Sequence, residues 1–162
     1  METTYLKTLY KTVLFTTIVL SISYILLYFK IDFFLPKSGN EKIVNLITEG
    51  NYLMVFITMI TYGLVVVAVE ELLFRLIPYK LWKKKLAQID YWLFGTLIAV
   101  VFSLMHSLGT PGINLGFPQL ALGIFLWRFI RENNGYKKCV LAHFTYNFLT
   151  IVAASIISYL FL

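Results

Sequence analysis

Long stretches without a single charge set the limits on this chain. Residues 13–29, 52–69, 91–127 and 139–162 contain no Asp, Glu, Lys or Arg. A helix that crosses a bilayer needs about 20 mostly apolar residues, and each run approaches or exceeds that length. The third is too long for one helix, and Gly109-Thr110-Pro111-Gly112 interrupts it with residues that favour a turn. The pattern predicts an all-α, polytopic transmembrane helix bundle of about five spans, near residues 9–29, 52–77, 88–108, 118–130 and 136–162. The fourth is short for a full crossing. Only 14% of the 162 residues are charged, against roughly 25% in soluble domains, so a water-facing globule does not fit.

The first run follows Lys7 and Lys11, as a signal peptide would. It is long, however, and no small-residue cleavage site follows Phe29, so it reads as a retained anchor. The net charge of +6 does not imply nucleic acid, because the basic residues track the expected loops. With the N-terminus placed in the cytoplasm, that side holds Lys7, Lys11, Arg75, Lys80, Lys83, Lys84, Lys85, Arg128, Arg131, Lys137 and Lys138. The outer side holds Lys30, Lys37 and Lys42. Such a bias sets membrane orientation, and Lys83-Lys84-Lys85 beside Trp82 also suits an anionic inner leaflet. Its plainest meaning is topology.

The chain reads as one membrane-embedded domain, 1–162, with no repeat of fixed period. Residues 30–51 form the one sizeable polar connection, with Pro36, Ser38, Gly39 and Asn40 as turn formers, and residues 41–49 are candidates for a short interfacial helix. Cys139 is alone, which rules out an internal disulfide; at the start of an apolar helix it reads as a small core residue.

Residues that are costly in lipid point to function. A charge at mid-membrane costs about 2.5–3.5 kcal/mol on insertion scales. Glu70 and Glu71 end an apolar run, and Arg75 follows in the same helix. Glu71 and Arg75 form an i,i+4 acid–base pair on one face, whereas Glu70 is rotated about 100° away and left for other work. Phe102 and His106 share a face at the end of the third span, as do His143 and Asn147 in the last. Each feature alone reads as packing or a structural pair. A free glutamate, two histidines and an asparagine on three spans are harder to explain that way, given the cost of burying them.

These residues also spell three ordered motifs. Glu70 to Arg75 is E-E-x-x-x-R, Phe102 to His106 is F-x-x-x-H, and His143 to Asn147 is H-x-x-x-N. The set resembles the CPBP family, the CAAX proteases and bacteriocin-processing proteins also called Abi, over a motif core of about 52–150. The resemblance implies an intramembrane endopeptidase open to the cytosol, in a bacterial plasma membrane, acting on a membrane-associated or lipidated protein or peptide. By motif position Glu70 would activate water, His106 would help hold it, and His143 and Asn147 would stabilise the oxyanion. Glu71 and Arg75 would orient their helix, and Phe102 would support His106. Amide hydrolysis does need a base and donors aimed at developing charge.

The family has also been described as metalloproteases. The resemblance favours chemistry without a cofactor, yet Glu70, His106 and His143 are also a reasonable zinc set. Two departures from the family pattern stand out: Leu76 replaces the common Gly after the motif arginine, and one span precedes the first motif where better-known relatives have more. Substrate access would then differ from theirs, or a helper protein or self-association would be needed. The alternative function is a non-catalytic bacteriocin self-immunity factor or scaffold on the same fold, and a proton relay or small transporter ranks last. Depth is the open geometric question. At about 1.5 Å per residue, His106 falls some 25 Å into its span and His143 about 10 Å into its own.

Overall fold

Five long helices are present among the described residues, which are 2–28, 45–47, 49–85, 88–106 and 116–161 of this computed structural model. The all-helical bundle read from the sequence is the fold. Three stretches are long and apolar enough to cross a membrane, Thr4–Leu26, Leu53–Lys85 and Gly135–Ile156, and two shorter apolar helices lie between the last two. The turn expected at Gly109 to Gly112, the polar connection around Pro36 to Asn40 and most of the helix expected at 41–49 lie outside the described residues.

α1 (Glu2–Tyr28) begins several residues before its apolar run. Thr8, Thr12 and Thr16, spaced one turn apart, are buried, and their hydroxyls donate to the carbonyls of Thr4, Thr8 and Thr12 at 3.1, 2.8 and 2.8 Å. Backbone capture of this kind lets a hydroxyl sit without water. The small stripe lets α1 approach the last helix closely. Phe15 stacks on Phe125 at 4.1 Å between centroids, which ties α1 to the fourth helix as well.

α2 is continuous over 52–85 and extends beyond the apolar run to include Lys83, Lys84 and Lys85. Its start is capped by Asn51, whose side chain accepts from the Met54 N–H. Two π-helical turns, Thr61–Val66 and Leu72–Leu76, bracket Val67–Glu71. The second lies just before Pro78, which has no N–H to give the carbonyl of Phe74; Arg75 Nη1 donates to that oxygen instead, at 3.0 Å.

α3 (Tyr91–His106) starts at Asp90, whose Oδ1 accepts from the N–H groups of Trp92 and Leu93 at 2.8 and 2.9 Å. This is N-capping. α4 (Phe117–Ile130) opens with Pro118 and packs antiparallel on α3. Trp127 Nε1 donates to Tyr91 O at 3.0 Å, and the Tyr91 hydroxyl donates back to Trp127 O. At the other end Ser103 Oγ donates to Gly116 O at 3.1 Å. Between these points a Cβ on Gly95 would lie 2.1 Å from Trp127 Cδ1, and one on Gly123 would lie 2.7 Å from Ala99 Cβ. Small residues thus bring the two backbones together, as expected where packing rather than water drives helix association.

A tight turn through Asn134, with φ of 56°, leads into α5 (Gly135–Phe161). Lys138 Nζ donates to Glu132 Oε2 across it at 2.6 Å. Cys139 is buried and donates to Leu126 O at 3.2 Å, consistent with a core residue.

Overpacking a tight helix contact costs about 1–3 kcal/mol. Gly95→Ala should therefore lower the melting temperature in detergent more than Gly63→Ala, whose Cβ would sit 3.2 Å from the edge of Phe144. Equal shifts would contradict the α3–α4 packing described.

Candidate active site

The α2–α3 hairpin settles the depth question for two of the three motifs. Glu70 lies 15 residues before Lys85 at the end of α2, and His106 lies 15 residues after Tyr91 at the start of α3. In an antiparallel pair equal arms reach equal depth, about 22 Å from the connection. The edge-on contacts of Trp82 with Tyr91 at 5.2 Å and of Phe74 with Phe102 at 5.3 Å follow the same register. The His106 ring then folds back along its helix, and Nδ1–H donates to Phe102 O at 2.8 Å. α5 brings His143 to the same place from the third side.

The result is a carboxylate facing two imidazoles. Glu70 Oε1 is 3.6 Å from His106 Nε2, and Glu70 Oε2 is 3.8 Å from His143 Nε2. His143 Nδ1–H donates to Glu71 Oε1 at 2.8 Å. Both rings therefore spend one nitrogen on a fixed acceptor and turn the other toward Glu70, and the hydrogen-bond partners select the tautomer. The Glu70 contacts are too long for direct hydrogen bonds. A water that touches both groups would sit beside each gap, on the exposed side of the pair, and not between the two atoms.

Glu71 and Arg75 sit behind this arrangement, both fully buried. Glu71 Oε2 is 3.7 Å from Arg75 Nε, an ion pair without a hydrogen bond. Glu71 Oε2 and Arg75 Nε and Nη2 have no hydrogen-bond partner among the described residues. The guanidinium instead lies over the Phe102 ring, 4.7 Å from its centroid, a cation–π contact. Phe102 is buried and also meets His106 at 4.3 Å and His143 at 5.9 Å. One phenyl ring thus separates the sealed charge pair from the open face.

Accessibility divides the two glutamates. The side chains of Glu70 and His106 are 23% and 30% exposed, whereas Glu71 is fully enclosed. The expected pairing of Glu71 with Arg75 is present, and the structure adds His143 as a second and closer partner for Glu71. That contact spans 72 residues of sequence and leaves no local trace. Tyr136 is likewise invisible in the pattern; its hydroxyl donates to Ala68 O at 2.9 Å, two residues before Glu70. Asn147 lies one turn beyond His143 and is half-buried. Its carbonyl accepts from Thr150 Oγ1, and among the described residues its side chain hydrogen-bonds none of the other motif groups. Leu76, at the position where the family commonly has Gly, packs against the buried core.

Zinc is the alternative cofactor that the residue types allow, with Glu70, His106 and His143 as its ligands. Among the described residues no group of three or more His, Cys, Asp or Glu is arranged to hold a metal ion.

Removing one partner of a buried ion pair strands the other and costs about 3–5 kcal/mol. Arg75→Met should lose that much stability in denaturant titrations in micelles. The double variant Glu71→Gln/Arg75→Met should regain most of it, because the introduced amide carbonyl can still accept from His143. A double variant as unstable as Arg75→Met would contradict the pairing.

Comparison with known proteins identifies a family. The model for type II CAAX prenyl endopeptidase Rce1-like proteins matches residues 52–149. No curated protein and no solved structure matches the chain at a significant level. The match begins at the start of α2, ends two residues beyond Asn147, and takes in more than half of the sequence together with every group assembled around Glu70. The chain belongs to the type II CAAX prenyl endopeptidase Rce1-like family of membrane proteases.

Proposed function

We propose that this chain hydrolyses a peptide bond in a membrane-associated or lipidated protein or peptide, with Glu70 as the base that activates water. The placement of the Glu70 carboxylate between the Nε2 atoms of His106 and His143, on the accessible side of the cluster, carries this reading. A water bridging Glu70 and His106 is held by an acceptor at each end. Glu70 takes its proton as the oxygen attacks the substrate carbonyl, and the same carboxyl then returns that proton to the departing amine, which closes the balance of the reaction.

The tetrahedral intermediate needs a donor for its oxyanion. His143 supplies one from Nε2 when it is protonated, and the Glu71 carboxylate at Nδ1 supports that charge. Glu71 is therefore a positioning residue acting through His143, a more specific role than orienting its own helix. Asn147, one turn further along α5, is the second candidate donor. Phe102 and the buried Arg75 keep the ring and Glu71 in place. The reaction on this account uses no metal.

Orientation belongs to the same proposal. All the described Lys and Arg residues except Arg75 lie toward the end where α1 starts and the α2–α3 connection sits. That end is read as cytoplasmic by the positive-inside bias, and the site is read as reached from it.

Glu70→Gln should reduce turnover of a prenylated peptide by at least about 10²-fold while leaving the protein inserted and folded. Undiminished turnover in the purified variant would remove Glu70 as base and favour the non-catalytic scaffold. Glu71→Leu should lower kcat with little change in KM, and Glu71→Gln, which keeps the acceptor, should recover part of the loss; identical kcat values in the two variants would sink the positioning role. Exhaustive chelation should leave turnover unchanged. Activity lost on chelation and restored by zinc would establish the metal-dependent alternative.

A further inference from the structure

Beyond orienting the chain, the basic residues at one end of the bundle take no part in the hydrolysis. Five helix ends meet there through named contacts. Lys11 Nζ lies 6.0 Å from the Phe129 ring centroid, linking the start of α1 to the end of α4. The Arg131 guanidinium lies 4.8 Å from the Tyr91 ring, and Tyr91 stands 5.2 Å from Trp82 and 5.3 Å from Trp127. Trp82 Nε1 donates to Ile89 O at 2.8 Å, closing the α2–α3 connection. Lys138 and its neighbours at the start of α5 join through Glu132.

On this end Lys7, Lys80, Lys83, Lys84, Lys85, Arg128, Arg131 and Lys137 are exposed. Two acidic side chains are described there, and both are committed. Asp90 caps α3 through Trp92 and Leu93, and Glu132 holds Lys138 at 2.6 Å. None of the eight exposed cations forms an ion pair with a described residue. This much unbalanced charge attracts an anionic partner.

We infer that this end of the bundle is a binding surface for anionic phospholipid, contacted through headgroup phosphates. The distribution of the cations decides between a lipid and a protein partner. They come from four of the five helices, α1, α2, α4 and α5, so they are spread over the end of the bundle instead of gathering on one helix face where an acidic peptide would dock. Lipid-type surface adjoins them: Ile77 and Leu81 are exposed on α2 just before the lysines, and Leu93 and Trp92 are exposed on α3 beside them. Trp82, Trp92 and Tyr79 lie in this zone, as aromatic residues do at a membrane interface. Cations spread over that end can all meet one plane of phosphates. The inference stands whether or not Glu70 is the catalytic base.

The test uses the full chain, purified in neutral detergent and titrated separately with phosphatidylglycerol and phosphatidylcholine of the same acyl chains. Lipid retention is read by native mass spectrometry and stability by thermal unfolding. Phosphatidylglycerol should be retained at least tenfold more than phosphatidylcholine and should raise the melting temperature, with both effects weakened in high salt. Two variants, Lys83→Gln/Lys84→Gln/Lys85→Gln and Arg128→Gln/Arg131→Gln/Lys137→Gln, should each lose part of the preference. Should either fail to fold, the salt dependence of the wild-type preference decides alone. Equal retention of the two lipids overturns the inference, as does a preference that both folded variants keep in full. Binding of a soluble polyglutamate peptide, or of inorganic phosphate, as tight as that of phosphatidylglycerol would overturn it in favour of a protein partner or a free anion.

Discussion

The buried contact of Glu71 with Arg75 and His143 is the constraint on which the rest of this structure depends. A carboxylate and a guanidinium without water or lipid contact are tolerable only when they neutralise each other. That requirement dictates much of what surrounds them. Pro78 releases the Phe74 carbonyl, which takes an Arg75 donor; Phe102 offers its ring face to the same guanidinium; His143 occupies the remaining Glu71 oxygen. Three helices, α2, α3 and α5, are thereby tied to one charge pair. Glu70 can face the two imidazoles at the front of the cluster because Arg75 is already committed to its neighbour behind it.

Packing elsewhere holds that cluster at a fixed depth. α3 and α4 are clamped at both ends, by the Tyr91–Trp127 exchange and by Ser103 to Gly116, with Gly95 and Gly123 allowing close approach between. α1 contributes no motif residue, yet its threonine stripe and Phe15 brace α5 and α4. The short helix α4 spans about 21 Å, less than a bilayer core of about 30 Å. It serves as a partner for α3 and α5 more than as an independent crossing.

The sequence made the spans legible because lipid leaves so little freedom: an uncharged run of the right length has few other uses. It also distinguished Glu70 from Glu71, since angular spacing along a helix is a local property. The end of α2 was harder to read. Hydropathy stops near residue 77, but backbone hydrogen bonding carries the helix through Lys83, Lys84 and Lys85, whose long side chains can reach water. The bond from His143 to Glu71 was out of reach, because nothing local encodes a contact 72 positions apart. The π-helical turns, one holding Gly63 and the other just before Pro78, were equally silent, because no hydrophobic period records them.

The equal arms of the α2–α3 hairpin carry a consequence of their own. Fifteen residues on one side and fifteen on the other act as a ruler with its zero at the connection. Adding one residue to either arm would move a motif side chain by about 1.5 Å along the axis and about 100° around it. The loss would come from arithmetic alone, with every motif residue still in place. Spacing in this hairpin is thus chemical information of the same rank as residue identity, and a search for working relatives would need to count as well as match.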